Sequence, residues 1–205
     1  MNRTLRDWWL RTLLVLQRPR PVFVALRDDS REAAGEMAEP VLLVVWLAGI
    51  AGVLADAATY LDDPTRSGLD LALWAFIAGG ISGAFAYFVV GAVLHRVGKT
   101  FGSQGTYRRA RHVLAFAAVP VALSLVLWPV KLALYGEDWF RTGGRDTGAG
   151  GVVFDVLTFA FFLWGAALLL VGVRSVHGWT WARAGAVAAI TLLVPIAFAL
   201  ALAVR

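Results

Sequence analysis

One short stretch of the sequence matches a catalytic motif: Gly80-Ile81-Ser82-Gly83 has the G-x-S-G pattern of intramembrane serine proteases. A serine nucleophile needs a histidine within hydrogen-bond reach to take its proton. The chain has three histidines, His95, His112 and His177, and all of them lie at one end of apolar segments, whereas Ser82 lies near the middle of one. About twelve residues of helix, roughly 18 Å, separate Ser82 from His95. The sequence therefore predicts no catalytic residues and a protein that is not an enzyme.

No cofactor or metal is expected either. The chain contains no cysteine, which excludes disulfides and a thiolate-ligated metal or haem. His112 and His177 could approach each other, but arginines crowd the same region without a carboxylate to offset them. A divalent cation would be repelled there, so we predict no metal site.

Three ionisable residues lie within apolar segments, namely Asp56, Lys131 and Asp155. Charges inside a span are expensive, so they usually face the protein interior, pair with one another or mark a transport pathway. The sequence predicts an Asp–Lys–Asp cluster that pins the first, third and fourth segments together. The alternative is a pocket that responds to cations or protons, since two carboxylates and one ammonium leave one negative charge in excess.

The chain contains five continuous apolar runs, at residues 40–61, 70–95, 112–135, 151–173 and 184–204, and these runs determine where the residues discussed above lie. The chain of 205 residues is 59% apolar and 16% charged, against about 45–50% and about 25% in soluble domains. A water-soluble globule is therefore excluded. Each run is long enough to cross a hydrocarbon core as a helix, since about 20 residues suffice. We predict an all-α integral membrane protein, with a five-helix transmembrane domain at residues 40–205 and a cytoplasmic segment at residues 1–39.

Basic residues predict how the bundle is oriented. Fourteen of the nineteen Lys and Arg residues flank one side of the five predicted spans. Because cytoplasmic loops carry the excess of Lys and Arg, we expect the N-terminus in the cytoplasm and the C-terminus outside. The protein would then be a multi-pass protein of the cell membrane.

The N-terminal segment contains a short apolar stretch at residues 8–16, with an amphipathic pattern that begins at Leu5. On a helical wheel one face holds Leu5, Trp8, Trp9, Leu13, Val15 and Leu16, although Leu10 and Leu14 interrupt the pattern. This predicts a helix lying in the cytoplasmic membrane interface and ended by Pro19 and Pro21. The alternative is a helix packed on the loops of the bundle.

The basic residues of the cytoplasmic flank are more numerous than orientation requires. They are Arg96, Lys99, Arg108, Arg109, Arg111, Arg174 and Arg183. Anionic membrane surfaces attract such residues by about 1 kcal/mol each. The surplus predicts binding to anionic lipid head groups or to an acidic cytoplasmic or membrane partner, and nucleic acid is excluded because no soluble reading element is present.

A ridge of small residues runs along one face of the second predicted span and consists of Ala75, Gly79 and Gly83. Small residues at this spacing allow a neighbouring helix to approach closely. The ridge fits contacts within one subunit or between subunits, so a homo-oligomer stays an open alternative.

Three stretches in register carry a family resemblance. They are Arg18-Pro19-Arg20-Pro21-Val22-Phe23 with Asp28-Asp29, residues 99–109 continuing to Pro120, and Trp164 with residues 168–178. With five predicted helices and a cytoplasmic N-terminus, the chain resembles the Yip-domain family of integral membrane proteins from about Arg18 to its C-terminus. Eukaryotic members are named for interaction with Ypt/Rab GTPases, but their Asp-Leu-Tyr-Gly-Pro motif is absent here. Seventeen Arg against two Lys suggest a bacterial-type member, so Rab binding is not carried over.

The predicted function is a non-enzymatic membrane scaffold or adaptor that interacts with anionic lipids or with membrane or cytoplasmic partners. The alternative is a small transporter, channel or lipid-handling permease that uses Asp56, Lys131 and Asp155. No cofactor is expected in either case.

Overall fold

A computed structural model describes residues 10, 12–28 and 38–203 of the chain. These residues are predominantly helical and contain no strand, which confirms the all-α prediction. We number the helices α1 (residues 12–17), α2 (Pro19–Ala25), α3 (Ala38–Ala55), α4 (Gly68–Thr100), α5 (Tyr107–Phe140), α6 (Ala149–His177) and α7 (Trp181–Ala203).

Three of these helices, α4, α5 and α6, are long and apolar enough to cross a membrane. Two shorter apolar stretches, Val41–Ala55 in α3 and Trp181–Leu193 in α7, coincide with the first and fifth predicted spans. The structure therefore shows several membrane-spanning helices, as expected for a multi-pass membrane protein.

The outer surface of the bundle is apolar, as hydrocarbon requires. Large exposed apolar side chains include Leu42 and Leu43 on α3, Leu73, Ile77 and Ile81 on α4, Val130 and Leu134 on α5, Val156, Phe159 and Leu163 on α6, and Ile190 and Leu193 on α7. Apolar surface distributed in this way would cause aggregation in water. The three long apolar helices and the two shorter ones thus each present a lipid-compatible face.

Helix α4 begins at a clear N-terminal cap and contains a π-helical turn. Ser67 caps its N-terminus in a capping box: its hydroxyl accepts a bond from the Asp70 amide, and the Asp70 carboxylate accepts one from the Ser67 amide. This arrangement satisfies amide donors that the first helical turn leaves open. The helix widens into a π-helical turn at Ala86–Val90 and then continues to Thr100, beyond the predicted end at residue 95.

Helix α5 is built from several pieces. An α-helix at Tyr107–Ala117 is followed by Val119–Leu123, a 3₁₀ turn at Ser124–Val126 and a further α-helix at Leu127–Tyr135. Pro120 lies in the first turn of the second piece. Backbone N–H groups in the first turn have no partner within the helix, so a proline there costs no helical hydrogen bond.

The N-terminal segment belongs to the bundle core. Val15 of α1 and Phe23 of α2 are completely buried in the same cluster as Val173 of α6. Pro19 and Pro21 do not only end a helix, since α2 starts directly at Pro19. In the described part of the predicted interfacial face, Leu13 is exposed whereas Val15 is buried. The rest of that face, Leu5, Trp8 and Trp9, lies outside the described residues.

The helix formed by the first apolar run ends before the apolar run itself does. Helix α3 stops at Ala55, and the chain continues through a 3₁₀ turn at Tyr60–Asp62. Leu61 is completely buried in a second core cluster, formed with Trp128, Trp139 and other residues at this end of the bundle. The predicted span of residues 40–61 is therefore wrong at its end, because its last apolar residues pack in a loop.

Candidate functional site

The predicted basic residues lie where α4, α5, α6 and α7 meet at one end of the bundle, which we call the basic flank. Its loop, residues 101–106, is fixed by Ser103, a buried residue whose hydroxyl lies 3.3 Å from Nδ1 of His177. The Gly105 amide donates a hydrogen bond of 3.0 Å to the same hydroxyl. The imidazole of His177 also stacks on Trp179, with ring centroids 4.3 Å apart. These contacts join the loop to the end of α6.

Sequence reasoning missed this Ser103–His177 contact. Its only signal is a serine between two glycines in a basic loop, which by itself does not indicate burial. An internal cavity of about 10 Å³ adjoins the pair, which is room for about one water molecule. The pair therefore holds the loop in place.

Four arginines of the basic flank are used within the protein. Arg109 donates a 2.7 Å hydrogen bond to the carbonyl oxygen of Arg27, and Arg183 donates one to the carbonyl oxygen of Phe101. The guanidinium of Arg174 lies 4.3 Å from the ring centroid of Trp181. Hydrogen bonds and cation–π contacts of this kind stabilise helix ends and the loops that join them.

The fourth arginine, Arg111, is surrounded by aromatic rings. Its guanidinium lies 4.5 Å from the ring centroid of Tyr107, 5.0 Å from that of Tyr87 and 5.2 Å from that of Phe88. Tyr87 and Phe88 both belong to the π-helical turn of α4. The cation–π contacts therefore tie α5 to α4, and Arg111 acts mainly as a packing residue.

The remaining three basic residues form the open part of the flank. Arg96, Lys99 and Arg108 are all exposed, and within the described ranges none of their side chains makes a hydrogen bond or ion pair. The structure thus divides the predicted basic surface into four residues that stabilise the fold and three that face outward. We call Arg96, Lys99 and Arg108 the open basic patch.

The three predicted intramembrane charges do not form one ion-paired cluster. Lys131 is buried, but in the part of the chain that the structure describes no ion pair links it to Asp56 or Asp155. Asp56 follows the last residue of α3 and is exposed, and Asp155 is exposed on α6. Asp155 acts on Lys131 only as a longer-range attraction.

Aromatic rings take the place of the expected carboxylates. The ammonium nitrogen of Lys131 lies 4.0 Å from the ring centroid of Trp139, 4.5 Å from that of Trp128 and 5.8 Å from that of Phe154. It also donates a hydrogen bond of 3.5 Å to Oγ1 of Thr158. The negative faces of the rings stabilise the cation where water is excluded. Lys131 therefore links α5 to α6 through aromatic contacts.

The small-residue ridge lies against α3 of the same chain. A Cβ atom added to Gly79 would lie 2.6 to 2.7 Å from atoms of Ile50, and one added to Gly83 would overlap the carbonyl oxygen of Val45. A Cβ on Gly49 of α3 would overlap the carbonyl oxygen of Gly79. Ala75 is buried on the same ridge. The two backbones are thus in direct contact, with Gly49 as the partner glycine that sequence reasoning missed.

Among the described residues, Ser82 makes no hydrogen bond to a histidine. Its hydroxyl donates a 3.1 Å hydrogen bond to the carbonyl oxygen of Gly79 in its own helix. His95 lies further along α4, near the ring of Tyr107. The G-x-S-G pattern therefore reflects the glycines of the α3–α4 contact.

At the opposite end of the bundle, two loops are joined by Asp62. Its carboxylate accepts bonds of 2.7 Å from the Thr142 amide and 2.5 Å from the Thr142 hydroxyl. The Arg141 guanidinium donates a 2.8 Å bond to the carbonyl oxygen of Leu61. The two bonds from Thr142 hold the pKa of Asp62 below its ordinary value. This contact joins the loop after α3 to the loop after α5.

The stability of the protein is expected to depend on pH through Asp62. A carboxyl whose folded pKa is lowered adds stability above its unfolded pKa, near 3.8, and this contribution is lost as the pH falls through the folded pKa. Asp62→Ala should therefore lower the melting temperature at pH 7, and the difference from wild type should shrink below pH 4. Asp63→Ala is the matched control: the pKa of Asp63 is also lowered, but by hydrogen bonds from Thr65 within its own loop, so this variant should show the same pH dependence without separating the two loops and should lower the melting temperature less. An equal, pH-independent effect of both variants would contradict the role of Asp62.

The fold and the apolar surface together define an all-helical, multi-pass membrane protein. The chain belongs to the Yip1 domain family, because the family model for the Yip1 domain matches residues 13–203. This match runs from α1 to the end of α7 and confirms the family resemblance found in the sequence. It is a family of membrane proteins that is not known as enzymatic. Neither the curated proteins nor the solved structures gave a match.

Proposed function

We propose that the protein is a non-enzymatic membrane scaffold or adaptor that holds anionic lipids, or an acidic partner, against its basic flank. The observation that carries this proposal is the open basic patch: Arg96, Lys99 and Arg108 are exposed, and their side chains make no hydrogen bond or ion pair within the described ranges. Their charges are therefore available to a partner outside the chain. Membership of a membrane-protein family supports the same conclusion.

The proposed topology places this patch in the cytoplasm. Helix α3, with 18 residues, and helix α7, with 23 residues, reach about 27 Å and 35 Å at 1.5 Å per residue. Both lengths fall within the range of membrane-spanning helices. With α4, α5 and α6 this makes five crossings. The excess of Lys and Arg at one end then favours a cytoplasmic N-terminus and an external C-terminus.

Long-range electrostatics favour anionic lipids as the first partner. The segment from Arg96 to Arg111 contains no Asp or Glu, so nothing within it offsets the positive charge. Each basic residue near an anionic membrane contributes about 1 kcal/mol. Three open residues therefore strengthen binding about a hundredfold in total. Because the patch is exposed, salt should weaken this attraction strongly.

Neutralising the open basic patch tests the proposal. We expect the triple variant Arg96→Gln, Lys99→Gln and Arg108→Gln to bind vesicles containing anionic lipid about a hundredfold more weakly than wild type. The protein is held in nanodiscs of neutral lipid, and binding is measured by vesicle flotation at low and high salt. Neutral vesicles give the baseline.

A second triple variant provides the matched control. Arg66→Gln, Arg141→Gln and Arg145→Gln remove the same charge from the opposite end of the bundle and should leave vesicle binding unchanged. Wild-type binding by the patch variant would overturn the lipid proposal. Loss of one co-purifying acidic protein, with vesicle binding intact, would assign the patch to a protein partner instead.

The transporter alternative has less support. It requires Asp56, Lys131 and Asp155 to share a pathway, whereas Lys131 is enclosed by aromatic rings and both carboxylates are exposed. A buried cation held by ring faces is a packing arrangement. We therefore propose the scaffold function alone.

A further inference from the structure

A cleft at the basic flank lies between α2 and the end of α6. Its volume is about 210 Å³, and it is open on one side. Arg20 and Arg27 line it from the N-terminal segment, and Arg174, Ser175 and Trp179 line it from the end of α6 and the turn that follows. The cleft is separate from the open basic patch, because none of the patch residues lines it.

The cleft carries a concentrated positive charge. Three of its lining residues are arginines, and none of the described residues that line it is acidic. Low-dielectric walls on two sides strengthen the field of charges gathered in a cleft. An anion is therefore the kind of ligand that this cleft attracts.

One of the arginines is already oriented. Nε and Nη2 of Arg27 donate hydrogen bonds of 3.1 Å and 2.6 Å to the carbonyl oxygen of Ser175. The carbonyl oxygen of Arg27 in turn accepts the bond from Arg109. The guanidinium is thus held at the cleft wall by Ser175 of α6, and the donors on Nη1 take no part in these bonds. A group fixed in advance loses little entropy when a ligand binds.

Arg174 contributes a second, independent feature. Its Nε is buried and has no hydrogen-bond partner in the part of the chain that the structure describes. Arg174 therefore lines the cleft with hydrogen-bonding capacity that the described residues do not use. Ring contact with Trp181 holds the side chain in position.

We propose that this cleft binds a phosphate group, either free phosphate or the head group of an anionic lipid. The planar fork of arginine matches phosphate oxygens with paired hydrogen bonds. The cleft is smaller than the roughly 300–1,000 Å³ of sites for drug-sized ligands, so it suits one small head group. As a lipid site it deepens the proposed function and rests on the proposed orientation of the basic flank.

Calorimetry with inorganic phosphate tests the cleft directly. The full chain in a non-ionic detergent is titrated with phosphate, and the Arg20→Gln variant should bind roughly tenfold more weakly, as expected for one lost charge-assisted hydrogen bond. Arg20 is exposed and its side chain makes no hydrogen bond in the described part of the chain, so its replacement should not disturb folding. Arg174→Lys, which keeps the charge but loses the fork, should weaken binding similarly.

Arg18→Gln is the matched control, because Arg18 is also exposed at the start of α2 but does not line the cleft. It should bind phosphate like wild type. The triple variant of the open basic patch should also bind phosphate like wild type. The phosphate titration therefore tests the cleft independently of the open basic patch.

A second arm identifies the source of the phosphate. Wild type and Arg20→Gln are extracted from nanodiscs containing phosphatidic acid, and the lipids retained are identified by native mass spectrometry. Retention by wild type alone, with displacement by inorganic phosphate, supports a head group in the cleft. Phosphate binding that depends on Arg20 without lipid retention supports free phosphate. Binding of both ligands that is unaffected by Arg20→Gln and Arg174→Lys, or absent in wild type, would overturn the proposal.

Discussion

Replacing Gly49 by alanine is expected to destabilise the protein by about 3 kcal/mol, the upper part of the usual range for overpacking. The new methyl group would overlap the carbonyl oxygen of Gly79. Because backbone atoms cannot move aside as a flexible side chain does, α3 and α4 must separate. In a membrane this separation is costly, since close packing rather than hydrophobicity holds helices together. Unfolding in mixed detergent micelles, followed by tryptophan fluorescence, measures the loss.

Gly52→Ala is the matched control for this prediction. Gly52 lies in the same helix, but a Cβ added there meets no atom within 4 Å. Alanine is favoured over glycine in helices, so this variant should be neutral or more stable by up to about 1 kcal/mol. Equal stability of the two variants would contradict the contact. A Gly49→Ala variant that keeps its stability but changes oligomeric state would instead place the ridge between subunits.

Replacing Lys131 by glutamate is expected to cost about 3–5 kcal/mol, the range for an uncompensated buried charge. The carboxylate would face the electron-rich rings of Trp128 and Trp139 in place of the cation that they attract. Lys131→Met, which fills similar space without a charge, should stay within about 1.5 kcal/mol of wild type, as volume-conserving replacements usually do. The same micelle unfolding assay applies.

Asp155→Asn distinguishes the aromatic site from the ion-paired cluster predicted from the sequence. Asp155 is exposed and forms no ion pair with Lys131, so we expect the Asp155→Asn effect to add independently to that of Lys131→Met. If Lys131→Met were strongly destabilising and Asp155→Asn restored its stability, the two charges would be paired. That result would contradict the aromatic account.

The class of fold could be predicted because membrane-spanning helices have a distinctive composition. Long apolar runs with few charges located α4, α5 and α6, and three short motifs indicated the family. The end of α3 was harder to predict, since residues such as Leu61 remain apolar after the helix has stopped. Hydropathy reports burial, and it does not distinguish burial in a helix from burial in a loop.

The candidate sites were predicted less well, because side-chain partners depend on contacts distant in sequence. Charge patterns suggest carboxylate partners for Lys131, whereas its true neighbours, Trp128, Trp139 and Phe154, meet only in the folded bundle. Counting basic residues likewise located the basic flank. It did not show that Arg111 is enclosed by aromatic rings while Arg96 stays open.

The number of membrane crossings underlies both the surface proposal and the cleft. Reporters fused before Met1 and after Arg205 measure it most directly, with alkaline phosphatase active only outside the cytoplasm and a fluorescent protein active only inside. Five crossings predict that the N-terminal fusion is fluorescent and that the C-terminal fusion has phosphatase activity. Both termini on the same side would contradict the topology, and an external N-terminus would remove the basic flank from the anionic cytoplasmic surface.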